Sequence, residues 1–146
     1  VRRLAPLLAA LVLVGTLAGC GGSGGSSGSS DANAEAQIKS VYAKFFAGKT
    51  ALADRVALLQ DGSRFKSVIQ AFASNPVAKN VSASVSSVTL EGQDKAKVVY
   101  VVSLAGAPLP KQTGTAVKQD GSWKVGFASL CRLVELQGST PSACKS

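Results

Sequence analysis

Three cysteines, no histidine and 8 carboxylate side chains are what this 146-residue chain offers for chemistry. A thiol can serve as a nucleophile, a metal ligand, half of a disulfide or the acceptor of a lipid group. Nucleophilic catalysis needs a base beside the thiol or hydroxyl, and acid–base catalysis needs a carboxylate whose surroundings tune it. Without histidine, carboxylates would have to do that work. Asp31, Asp61, Glu91, Asp94 and Asp120 fall at expected caps or turns, and Glu35 and Asp54 fall off the apolar helix faces. Glu135 lies in a segment whose pattern does not fix its direction. No carboxylate takes an expected core position, so the expectation is a non-catalytic protein, not an enzyme.

Cys20 stands apart from the other two cysteines. It ends the run Leu17-Ala18-Gly19-Cys20, which follows Arg2-Arg3 and a stretch from Leu4 to Leu17 that is apolar apart from Thr16. About 14 apolar residues at 1.5 Å rise span roughly 21 Å, short of a ~30 Å hydrocarbon core. A basic flank, a short apolar run and small residues before the cut mark an exported leader. The arrangement resembles a bacterial lipoprotein signal, in which the cysteine thiol takes a diacylglyceryl group and becomes the mature N-terminus. That resemblance implies a signal peptide at 1–19, acyl chains of the palmitate type on Cys20, and anchorage on the extracytoplasmic face of the cell membrane. Two acyl chains hold stably where one holds reversibly, at about 0.8 kcal/mol per buried CH₂. Residues 20–33 then read as a tether. Gly21 to Ser30 are all glycine or serine, which leaves nothing to bury, and a disordered reach of about 17 Å is expected.

Export decides the fate of Cys131 and Cys144. An even pair in an oxidising compartment is expected to form a disulfide, closing a loop of about 14 residues and contributing roughly 3 kcal/mol in the chain-entropy account. The bond would pin the tail from Gly138 to Ala143. With no histidine and two spare thiols, the chain lacks the ligands of a structural zinc site, and no metal or other cofactor is expected.

The charge is basic but diffuse. The chain has 16 Lys+Arg against 8 Asp+Glu; without Arg2 and Arg3 these become 14 against 8, a net +6. No dense basic run or basic–aromatic interleaving occurs, so nucleic acid is not an expected partner. Scattered lysines suit solubility, with weak attraction to an anionic envelope surface as the sharper reading.

Residues 34–146 are the length of one small domain. Ile38, Val41, Tyr42, Phe45 and Phe46 repeat at helical spacing, which predicts a helix over 34–47 closed by Gly48. A short helix capped by Thr50 carries Leu52, Val56 and Leu59. A third, capped by Ser63, carries Phe65, Val68, Ile69 and Phe72, and stops at Asn75-Pro76. After Pro76 the period becomes two. Val81, Ala83 and Val85 alternate, then Val88 and Leu90 alternate in the opposite phase, which predicts a β-bulge at Ser86-Ser87. Ala96, Val98, Tyr100, Val102 and Leu104 form one face of a central strand, with Val99 and Val101 on the other. Gly106 to Pro110 reads as a rigid loop. Thr113–Lys118 and Trp123–Ser129 read as a hairpin whose three-residue loop, 119–121, sets Val117 opposite Trp123. Residues 128–137 read as a short terminal helix. Helices followed by antiparallel strands predict an α+β domain: N-terminal helices on a curved sheet of about four strands, a cystatin-like or nuclear-transport-factor-like cone.

Several short runs carry a resemblance, the later ones more specific than the first, since a helix ending in glycine is common. Phe45-Phe46-Ala47-Gly48-Lys49-Thr50, Ala57-Leu58-Leu59-Gln60-Asp61-Gly62 with Phe65, Gly106-Ala107-Pro108-Leu109-Pro110, and Gln119-Asp120-Gly121-Ser122-Trp123-Lys124-Val125 with Cys131 resemble the C-terminal domain of the mycobacterial low-molecular-weight antigens, exported actinobacterial proteins. The resemblance implies a secreted or anchored domain and transfers no catalytic residue. The lipidation motif and the cysteine pair depart from the secreted antigen.

Two functions fit. In the first, preferred on sequence alone, the tethered domain is a structural or interaction protein of the cell envelope, with a patch near Gly106 to Pro110. In the second it is a binding module for a small apolar ligand or lipid, held in the cone by a candidate pocket of Tyr42, Tyr100, Trp123 and Phe127. The competing reading of those aromatics is plain core filling. A cavity of several hundred Å³ beside Tyr100 would separate the two.

Overall fold

The change of apolar period at Pro76 divides the molecule. In the computed structural model, which describes residues 26–145, helices come first and an antiparallel sheet follows. Residues 1–19 and Cys20 lie outside the described residues. The helices are α1 (Ser26–Phe46), α2 (Leu52–Leu58), α3 (Lys66–Ala73) and α4 (Phe127–Glu135). The strands are β1 (Val81–Leu90), β2 (Lys95–Leu104), β3 (Ala107–Pro108), β4 (Gln112–Gln119) and β5 (Ser122–Val125). They pair in the order β1-β2-β4-β5, with β3 folded back on the end of β2. The result is the expected α+β cone, a curved half-barrel with helices against its inner face.

β2 is central because it can be buried on one face and half-buried on the other. Ala96, Val98, Tyr100 and Val102 are buried, and Val99 and Val101 are partly covered. The expected bulge is present: Val85 pairs with Tyr100, but Ser87 pairs with Val99. It bends β1, and α1 lies in the curve against β1 and β5 through Ile38, Tyr42, Phe45 and Phe46.

α1 starts at Ser26, not at Ala34, and so takes Ser26 to Asn33 out of the expected tether. Once the apolar stripe anchors the helix, each further residue adds a hydrogen bond without a new nucleation cost. Exposed pairs four residues apart, Lys39–Glu35 and Gln37–Asn33, add to it. The expected caps are also displaced. Thr50 donates its hydroxyl to the Lys44 carbonyl at 2.6 Å, closing α1, and Ala51 takes the N-cap position of α2. Ser63 lies inside a 3₁₀ turn (Gly62–Phe65), and α3 begins only at Lys66.

Two loops differ from expectation in the same way. Ala105 and Gly106, both left-handed, form a two-residue turn that pairs Leu104 with Ala107, so the expected loop 106–110 is partly a hairpin. Asp120 and Gly121, at φ 54° and 77°, form another. Val117 therefore faces Lys124, Lys118 faces Trp123 and Ala116 faces Val125. Two successive positive φ values define the turn type whose twist matches a hairpin. The three-residue register assumed that Val117, the bulkier residue, points inward. In fact Gly114 and Ala116 line the buried face of β4, because aromatic side chains from α1 and β2 already fill that volume. The chain leaves the sheet at Gly126, whose N–H donates to the Thr115 carbonyl at 2.7 Å, so Phe127 opens α4 instead of extending a strand. The Cys131–Cys144 disulfide ties α4 to the final turn, as expected.

Candidate functional site

Tyr42 is fully buried, and its one hydroxyl hydrogen goes to the Thr115 carbonyl at 2.7 Å. Its 3.0 Å contact with Ser129 Oγ must then be donated by Ser129. Ser129 Oγ in turn accepts from the Thr115 N–H at 3.1 Å. These three bonds close a ring in which each of the three donors is used, which is what buried polar groups require. A side chain at Gly114 would overlap the Ser129 hydroxyl and crowd Tyr42 and Tyr100, so only glycine fits.

Around this ring the aromatics are packed. Tyr100 lies 5.0 Å from Tyr42 and 5.4 Å from Phe46, centroid to centroid. Burial pushes the Tyr100 phenol up to about 12, and the Tyr42 phenol further in the same direction. Both stay protonated, and Ser129 has no base beside it. The candidate pocket residues are thus not gathered around a cavity. Tyr42 and Tyr100 fill the centre, Trp123 is buried against the opposite end of β4, and Phe127 stacks on Phe65 at 5.5 Å. Steric filling accounts for Tyr42 and Tyr100, whereas Trp123 borders a polar hollow beside Leu90 and Lys118 and Phe127 borders a groove along α4.

An apolar open volume lies at the cone's mouth. A cavity of about 300 Å³ lies beyond the packed centre, walled by Val102 and Leu104 of β2, Leu109 after β3, Phe72 of α3, Leu133 of α4 and Leu136 just past its end. Gln112 and Gln137 are its only polar side chains. Leu136 is 60% exposed, a large apolar group left in water at the rim. A second hollow, between α3 and the C-terminal tail, shares Phe72 and Gln137 with the first. A wider groove, lined by Lys97, Arg132, Glu135 and the disulfide, is open to solvent and mixed in polarity.

Sequence reasoning placed Phe72, Val102 and Leu104 on apolar faces, Leu109 in a loop and Leu133 and Leu136 in a terminal helix, without recognising that they surround a gap. One signal was present: Leu109 and Pro110 belong to the segment singled out as a candidate patch.

One buried charge lies near the mouth. Arg55 of α2 is 2% exposed, donates from Nη2 to the Ala47 carbonyl at 2.6 Å, and holds its guanidinium 5.9 Å from the centre of the Phe72 ring. Burial lowers its pKa from the usual arginine value. Among the described residues no group of His, Cys, Asp and Glu is spaced to hold a metal ion, and no helix is long and apolar enough to cross a membrane.

A half-barrel cone with a packed centre and an apolar mouth is a fold able to offer a ligand- or partner-binding surface. The family described as low molecular weight antigen MTB12, C-terminal domain, matches residues 31–141, and the chain belongs to that family. No curated protein matches the chain. Among solved structures it is similar to a Campylobacter jejuni protein that bears the provisional name NTF2-like transpeptidase. Identity is 13% and the TM-score 0.42, over 68% of this chain and 98% of that one.

Proposed function

We propose that this domain is a binding module that takes a small apolar ligand, such as a lipid chain, into the mouth of the cone. The observation that carries the reading is the apolar cavity with Leu136 exposed on its rim. Apolar surface left open to water gains about 25 cal/mol per Å² when a ligand covers it. The cavity falls at the lower end of the size range of small-molecule sites. This favours ligand binding over a purely structural or interaction role in the envelope.

We also propose that the module is displayed on the extracytoplasmic face of the membrane by acyl chains on Cys20. The leader pattern and the Cys131–Cys144 bond support this, since disulfides persist in oxidising compartments. Mass spectrometry of the mature protein should find a diacylglyceryl group on Cys20. An unmodified thiol there would remove the anchor.

The test of the pocket uses N-phenyl-1-naphthylamine, a neutral apolar fluorophore. It should bind saturably at one site in the wild-type protein. Leu104→Trp, which fills the mouth from a half-buried position, should abolish binding while the thermal midpoint holds. A wild-type protein that gives no saturable signal would sink the proposal.

A further inference from the structure

Arg55 is the one buried charged side chain among the described residues, and it has no counter-ion. The ion pair found there is Lys39–Glu35, on the surface of α1. One bond to the Ala47 carbonyl uses Nη2, and Nε has no hydrogen-bond partner at all. A guanidinium keeps its proton in a protein, so burial does not remove the charge. An isolated buried cation costs several kcal/mol unless something pairs with it.

Phe72 connects this group to the cavity. Its ring is a wall of the mouth and also the surface over which the Arg55 guanidinium sits, and it is only half-buried on α3. Phe72 is therefore the residue that the cavity wall and the Arg55 guanidinium share, and a rotation of its side chain is the movement that could join the two. Beyond the ring, the cavity offers the ligand only hydrocarbon and two amides. Apolar walls that share the Phe72 ring with a cation lacking a counter-ion are complementary to a molecule with an apolar body and an anionic end.

We infer that the mouth binds a single-chain anionic amphiphile, its acyl chain in the cavity and its head group paired with Arg55 once Phe72 swings aside. The inference rests on the apolar-ligand reading above and adds the head group. A planar guanidinium can pair with a carboxylate or a phosphate through parallel N–H donors. The shared requirement is an anionic oxygen pair at one end of one chain.

Displacement of N-phenyl-1-naphthylamine by dodecanoate, dodecyl phosphate and methyl dodecanoate tests it. At least one anion should displace the fluorophore about tenfold more tightly than the ester, since a hydrogen bond to a charged group contributes about 1.5–3 kcal/mol. Which anion does so identifies the head group. Arg55→Met should erase the advantage and leave ester binding intact, and Phe72→Ala should preserve it. Equal displacement by both anions and the ester in the wild-type protein would overturn the role of Arg55 and leave the apolar pocket standing. A wild-type protein that binds neither fluorophore nor ester would overturn the pocket itself. If Arg55→Met does not fold, the titration of the preferred anion bound to the wild-type protein decides. The carboxyl ¹³C signal of dodecanoate, or the ³¹P signal of dodecyl phosphate, should titrate at lower pH than in water, and an unshifted titration of that anion refutes the pairing.

Discussion

The inner face of β2 runs from a closed region to an open one within five residues. At Tyr100 it meets α1 aromatics and a hydrogen-bonded ring in which each donor is used. At Val102 and Leu104 the same face borders a cavity. The difference lies in what backs the strand. The centre is backed by the large side chains of one long helix, with a glycine opposite to admit them. The mouth is backed by the short helices α3 and α4, which present Phe72 and Leu133 from two sides and leave a gap between them. In this domain rigidity and vacancy are neighbours on one strand, so a ligand at the mouth would sit against a wall that does not yield.

Alkaline pH is the strongest probe of the closed region. Burial raises the Tyr100 pKa to about 12, and moves Tyr42 in the same direction, from an ordinary value of about 10. The folded state therefore favours the protonated phenols. Their stabilising effect is complete below about pH 10 and is lost as pH rises through the folded values. The chain has 2 tyrosines, both in the packed centre, so tyrosinate absorbance reports on nothing else. Tyrosinate should be absent at about pH 10 and should rise together with a cooperative change in Trp123 fluorescence near the folded value. Gradual ionisation with fluorescence unchanged would mean the centre is not closed.

Gly114→Val should cost about 3 kcal/mol by overpacking the ring. In the fraction that folds, fluorophore affinity at the mouth should be unaltered; a parallel loss would show the two regions to be one unit. Tyr42→Phe should cost about 1–3 kcal/mol in urea unfolding, because it leaves the buried Ser129 hydroxyl hydrogen without an acceptor and removes one of the two bonds to the Thr115 carbonyl. A neutral result would mean that water replaces the phenol there. The smallest effect on stability belongs to the rim. Leu136→Ser should change stability by no more than about 0.5 kcal/mol, yet weaken fluorophore binding about threefold to tenfold. Unchanged affinity would place the ligand elsewhere.

The elements themselves were legible because their periods are strong. The stripe from Ile38 to Phe46 and the alternation from Ala96 to Leu104 each bury one face, and hydrophobicity marks that face directly. The slip between Val85 and Val88 was equally plain. The β4–β5 register was not, because the inward residues there are Gly114 and Ala116. A small residue facing a large neighbour from another element looks like a weak position until the neighbour is known. Thr50 and Ser63 misled for a related reason: both types cap helices, and both are used differently in tight connections. The cavity escaped because it is a space between residues 72, 102–109 and 133–136, and no single segment carries its outline. Arg55 escaped because an arginine on a short helix looks solvated; only the packing of α1, α2 and α3 buries it.

The bulge in β1 has a consequence for the chain as a text read in steps of two. Before it, odd-numbered residues face inward; after it, even-numbered ones do, as Val81, Val85, Val88 and Leu90 show. Ser86 is the letter that resets the frame. Deleting it would leave one phase throughout, and either the first or the second half of the strand would turn its apolar side to water. Substitutions at this exposed serine should be silent, whereas its loss should not be. Along this edge of the sheet the presence of a residue matters more than its identity.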